Sequence, residues 1–120
     1  MYNIIFYEDN RGHAPTAEYI ETLRKQSKTS KHARINLNKI VAFLDILEEE
    51  GTRVGEPVVK HLDGEIWELR PLDNRILFAI YEKNIFILLH HFTKKTQKTP
   101  PQEIKQAKRN LAEYRERNDA

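Results

Sequence analysis

Between Glu65 and Pro101 the chain reads EIWELRPLDNRILFAIYEKNIFILLHHFTKKTQKTPP, and its bases fall at the ends of three apolar runs. Arg70 closes the first run and Arg75 opens the second. His90 and His91 lie near the end of the third, which empties into Lys94, Lys95 and Lys98. Guanidinium forks match pairs of phosphate oxygens, and lysine ammonium groups bind phosphate as point charges. The adjacent histidines are the one neighbouring pair able to change charge near neutral pH. If the runs are strands of one sheet, one face holds the fold while the bases collect near one another. That is a small site for a polyanion.

Other chemistries lack residues. There is no cysteine, hence no disulfide, thiol nucleophile or thiolate metal site. His13, His32 and His61 form no metal-ligand spacing with carboxylates. No Gly-rich phosphate loop, dinucleotide fingerprint or HExxH helix is present, and a Ser/His/Asp triad has no support. No metal and no cofactor is expected. At 120 residues, with 39% hydrophobic and 32% charged residues, residues 1–120 are expected to form one domain. No apolar stretch approaches the ~18 residues of a membrane span, and MYNIIFYEDN lacks the basic start and cleavage site of a signal peptide. A cytoplasmic protein without membrane association is the expectation.

The net charge of +2 hides an uneven distribution. Thr22 to Leu44 contains no acid but has Arg24, Lys25, Lys28, Lys31, Arg34 and Lys39. Lys94 to the end holds eight bases against four acids. Two basic zones suit an anionic partner, although a charge run can equally be a solvated helix face.

These residues need a scaffold. Tyr2 to Tyr7 reads as a strand, and Pro15 suits the first turn of a helix with Ala17, Ile20 and Leu23 on its stripe. Leu37, Ile40, Val41, Leu44 and Leu47 give a second helix, stopped at Gly51. Thr52 to Gly64 reads mostly as loop, with a short extended piece at Val58–Leu62. Strands follow at 66–70, 75–82 and 85–92, joined by hairpin-sized breaks at Asp73-Asn74 and Lys83-Asn84. Thr99, Pro100 and Gln102 read as N-cap, first helical residue and capping-box partner of a last helix striped by Ile104, Ala107, Leu111 and Tyr114. The order is β-α-α-β-β-β-α: an α+β chain with a mainly antiparallel sheet and helices on one face. Alternation puts Trp67, Leu69, Ile76, Phe78 and Ile80 under the helices and leaves Arg70, Arg75 and Tyr81 on an open face. The third of these strands is apolar on both sides and is expected inside the sheet. Alternation lets only one of His90 and His91 face the open side and does not say which.

The combination Trp67-Glu68-Leu69-Arg70, Arg75 with Tyr81 six residues on, and Leu88-Leu89-His90-His91-Phe92-Thr93-Lys94-Lys95 leading to Thr99-Pro100 resembles the RelE/ParE superfamily of bacterial toxins, in its phage-related HigB-like branch. The resemblance spans nearly the whole chain. It implies the toxin of a type II toxin–antitoxin pair, a ribosome-dependent endoribonuclease that cuts mRNA in the A site without metal and inhibits translation. The implied partners are the ribosome, mRNA and a small antitoxin, in this branch a helix-turn-helix protein like HigA, which alone would bring operator DNA. Carried over by position, Arg70 would stabilise the phosphate, with His90 and Lys94 as the other catalytic candidates. Arg75, Lys95, Lys98 and Tyr81 would bind RNA. Lys28, Lys31 and Arg34 are the expected antitoxin-facing bases.

Blander roles stand beside each of these. Arg70 could pair with Glu68 or Glu65, Arg75 could be a solvated charge, His90 a core residue, the lysines a solvated strand end, and Tyr81 packed. The superfamily also holds gyrase-directed members that act by binding, and a phage-related interaction protein without toxicity is a third class.

Overall fold

The computed structural model describes residues 1–119. Strand β1 (Asn3–Phe6) leads to helices α1 (Pro15–Gln26) and α2 (Lys31–Glu50), the second capped by Ser30, whose hydroxyl accepts from the Ala33 amide. A 3-10 turn (Gly51–Val54) follows, then β2 (Val59–Asp63), β3 (Ile66–Leu69), β4 (Asn74–Tyr81), β5 (Ile85–Thr93) and α3 (Pro101–Asn118). The α+β class and the element order match expectation, and the short extended piece proves to be the edge strand β2. Among the described residues, no helix is long and apolar enough to cross a membrane.

The five strands lie in the order β1-β5-β4-β3-β2. The hairpin-linked strands β2 to β5 are antiparallel neighbours, while β1 closes the far edge in parallel with β5. Gly51 sits at φ 65, and an added Cβ there would come within 2.7 Å of the Tyr2 ring. Glycine is therefore required both by the backbone and by the close approach of β1 to the end of α2.

The sheet is covered on both faces, which corrects the one-sided expectation. Helices α1 and α2 lay Ile20, Leu23, Leu37, Ile40 and Leu47 on Leu69, Ile76, Phe78, Phe86 and Leu88. Helix α3 lays Ala107 and Leu111 on the opposite face, against Ile66, Leu77, Ala79, Ile87 and Leu89. The reason lies in β3 to β5, which alternate between two apolar sets rather than one apolar and one polar; burying only one would leave the other in water. Ile80, expected under the helices, is 40% exposed because it lies near the far end of β4.

A bulge decides the histidines. Leu77 pairs with His90 but Phe78 pairs with Leu88, so Leu89 is an extra residue in β5. Leu89 and His90 thus both turn towards α3, where His90 Nε2 lies 2.7 Å from Glu103 Oε1. His91 faces the other side, stacked on Tyr19 with centroids 4.6 Å apart. Burial holds the His91 pKa below the usual 6.5; the neighbouring His90 pushes it the same way and Glu103 opposes. An unfolded chain then binds a proton at His91 at a higher pH than the folded one, so stability falls as pH drops below that ordinary value. A melting series from roughly pH 7.5 to 5.5 should show His91→Phe with a shallower loss than the wild type. Equal slopes would remove His91 from the account.

Candidate functional site

A cleft of about 520 Å3 opens where β2 and β3 meet the segment leading into α3. Lys60 and His61 on β2 form one side, Glu68 and Arg70 the floor, and Gln97, Lys98 and Thr99 the other side, with Ile104 of α3 behind. The local sequence explains the arrangement. Lys60 pairs with Glu68 across the β2–β3 ladder, so both point to the α3 face. Arg70 lies two residues beyond Glu68 and so leans the same way.

Glu68 is the centre of the site. It is 1% exposed. Its Oε1 lies 3.4 Å from Arg70 Nε and 3.9 Å from Arg75 Nε, and its other oxygen accepts from the Thr99 hydroxyl at 2.5 Å. A buried carboxylate is tolerable when it is paired in this way. The alternative open for Arg70 is thereby decided in part: its ion-pair partner is Glu68, whereas Glu65 pairs with Arg115. Arg70 also reaches Glu56 at 3.5 Å, and its side chain is 19% exposed. Its Nε is buried without a hydrogen-bond partner, because the approach to Glu68 is too long and poorly aimed for one.

The expected site residues divide. Arg70 and Lys98 meet in the cleft. Arg75 does not reach the surface: it is 5% exposed, and its Nη1 donates to the Leu72 carbonyl at 2.7 Å and the Asn74 carbonyl at 2.8 Å. Those bonds clamp the turn in which Leu72 adopts a left-handed φ of 58, a conformation unfavourable for leucine. Burial pulls the Arg75 pKa down; the Glu68 charge opposes this and Arg70 adds to it. Arg75 therefore stands behind the floor, not on an open face.

Tyr81 is also displaced. It sits at the opposite end of β4, about 20 Å along the strand from Arg75, bonded to Asp119 and packed edge-on against Tyr114. The Asp119 carboxylate, by accepting a hydrogen bond from the phenol, pushes the Tyr81 pKa up to about 12. That phenol is a poor proton donor at neutral pH. His90 shares the α3 face with Glu68 but is two strands away, outside the cleft wall, with Lys94 and Lys95 beyond it. The Lys94 amide donates to the Asp73 carbonyl, and Lys95 is exposed. Lys28, Lys31 and Arg34 are exposed around the α1–α2 junction, with Arg34 Nη1 bonded to the Ser27 carbonyl.

Thr99 does not cap α3. Pro100 occupies the cap position and Pro101 begins the helix, with no side-chain cap bond; the threonine hydroxyl is committed to Glu68 instead. Sequence reasoning also passed over Lys60. The available signal was the period-2 alternation of Val59 and His61 against Lys60, which places Lys60 on the other face once the piece is a strand. Among the described residues, no group of three or more His, Asp or Glu could hold a metal ion.

The cleft thus offers Lys60, Arg70 and Lys98 against Glu56 and the already paired Glu68. An anionic ligand would find donors from three separate segments. Comparison with curated proteins finds no match. The sequence profile of the family described as Phage derived protein Gp49-like (DUF891) matches residues 21–112, from α1 through most of α3 and including every cleft residue named above. The chain therefore belongs to the phage-derived Gp49-like family, within the RelE-like group of toxin-type proteins.

Proposed function

We propose that this protein is the toxin of a type II toxin–antitoxin pair, of the HigB-like kind, and that it cleaves mRNA on the ribosome. The observation that carries the reading is the cleft in which Lys60, Arg70 and Lys98 converge over a buried carboxylate. In such a cleavage the RNA 2′-oxygen attacks the adjacent phosphorus, losing its proton, and the 5′-oxygen leaves, gaining one. The barrier is lowered by donors placed where charge grows on the phosphate. Arg70 is assigned that role because its side chain lines the cleft. Lys60 and Lys98 hold neighbouring phosphates as point charges. His90 Nε2 lies 2.7 Å from Glu103 Oε1, which fixes the orientation of the ring. His90 and Lys94 are assigned the proton transfer on the resemblance; both stand outside the cleft wall, so the RNA must run from Arg70 across the α3 face to reach them, with Lys95 following its backbone outward.

The partner antitoxin, of helix-turn-helix type, is assigned to the exposed Lys28, Lys31 and Arg34 zone, on the α1–α2 side away from the cleft. Operator DNA would be reached only through that complex. A gyrase-directed toxin is the competing reading, and it predicts a different order of events in the cell. Expression of the chain alone should stop labelled amino-acid incorporation before thymidine incorporation falls. Early loss of thymidine incorporation with translation intact and an SOS response would replace the RNA reading with the gyrase one.

A further inference from the structure

We propose that Glu68 is the positioning residue of the cleft: one buried carboxylate that aims Arg70 and, through Thr99, holds the Lys94–Lys98 segment against the sheet. The proposal rests on the reading of the cleft as an RNA-phosphate site.

A purely structural role would need only Glu68 and Arg75, and three features go beyond that. First, the two carboxylate oxygens have separate duties. Oε1 faces both arginines, and Oε2 takes the Thr99 hydroxyl. Second, Thr99 stands one residue before the cap position, which Pro100 fills, and its hydroxyl bonds Glu68 rather than the helix end. That bond ties the end of the basic segment to β3. Third, Arg70 is tethered but unsaturated. Its Nε is buried and unbonded, 3.4 Å from Glu68, and its Nη1 is 3.5 Å from Glu56. A carboxylate at that distance orients the guanidinium by charge and leaves Nη2 for an incoming anion, which must compete with the exposed Glu56 for Nη1. When phosphate engages Nη1 and Nη2, Nε can close onto Glu68, so the tether tightens as the ligand binds. Arg75, held by the Leu72 and Asn74 carbonyls, supplies a fixed counter-charge 3.9 Å from Glu68 Oε1.

The experiment follows the Arg70 side-chain Nε–H resonance by NMR in the full 15N-labelled chain. Inorganic phosphate and a short single-stranded RNA are the probes, applied to the wild type, Glu68→Gln and Thr99→Val. In the wild type the resonance should be resolved and should move on titration. Glu68→Gln should shift it towards the exposed-arginine position before any ligand is added, and weaken phosphate binding about tenfold. Thr99→Val keeps the buried carboxylate and its two arginines. It should speed amide exchange across residues 94–99 and weaken phosphate binding severalfold. In ribosome-dependent cleavage, Glu68→Gln should lower kcat on the order of 10- to 100-fold with KM nearly unchanged. A residue serving only stability would leave kcat per folded molecule unchanged.

The proposal is overturned if both variants keep the wild-type Arg70 resonance and phosphate affinity. Should Glu68→Gln fail to fold, Thr99→Val decides alone, and wild-type exchange and affinity in that variant overturn the proposal. If the wild type neither binds phosphate nor cleaves RNA, the functional reading fails, yet the ligand-free Arg70 resonance still reports whether Glu68 orients it.

Discussion

Replacing Arg70 with alanine is expected to abolish growth arrest and to lower ribosome-dependent RNA cleavage on the order of 100- to 1000-fold, the range seen when one preorganised donor to a developing charge is removed. The fold should survive. Arg70 is half-buried at the end of β3, and its backbone amide bond to the Val58 carbonyl is independent of the side chain. Glu68 keeps Arg75 and the Thr99 hydroxyl after the change, so no buried charge is stranded. The stability loss should be about 1 kcal/mol, larger than for an open surface site because an ion pair is broken. Cleavage assays on programmed ribosomes, paired with urea denaturation, test both halves. Full toxicity in the variant, or collapse of the fold, would show that Arg70 does not stabilise the phosphate.

The second large effect lies one strand away and has the opposite character. Arg75→Ala should destabilise the protein by about 3 kcal/mol, as expected when a buried, hydrogen-bonded charge is removed and its partners are left behind. The Leu72 and Asn74 carbonyls lose their donor, the strained turn at Leu72 loses its clamp, and Glu68 loses its better-buried counter-charge. The midpoint of denaturation should fall while the slope with denaturant stays constant. This result separates two placements of the same residue. On an open sheet face, as alternation alone implied, Arg75→Ala would leave stability within about 0.5 kcal/mol and weaken only RNA binding. An unchanged midpoint would restore that open-face placement and discard the buried one.

Arg70 and Arg75 show how far side-chain patterning reaches. Both belong to the face opposite Leu69 and Ile76, as period-2 alternation requires. What alternation does not carry is what covers that face. Seven residues, 94–100, connect β5 to α3, and such a link can deliver a helix to either side of a sheet. Amphipathic stripes state that a helix must be buried, not where. Once α3 settles on the Leu77, Ala79 and Ile87 side, part of the supposed open face becomes interior, and the bases that remain accessible are those at the β2–β3 edge.

The sequence by itself determined the α+β class, the order of the elements and the glycine stop at the end of α2. These depend on local periodicity and turn chemistry, which neighbouring residues encode among themselves. Only the tertiary structure decided that α3 covers the second face, that Leu89 bulges and so sends His90 towards Glu103 and His91 towards Tyr19, that Arg75 is sealed behind the floor, and that Lys60 completes the cleft. Each of those depends on pairing between segments distant in the chain. One inserted residue in a ladder reverses the facing of everything after it on that strand, and the choice is made by which register buries both apolar sets at once.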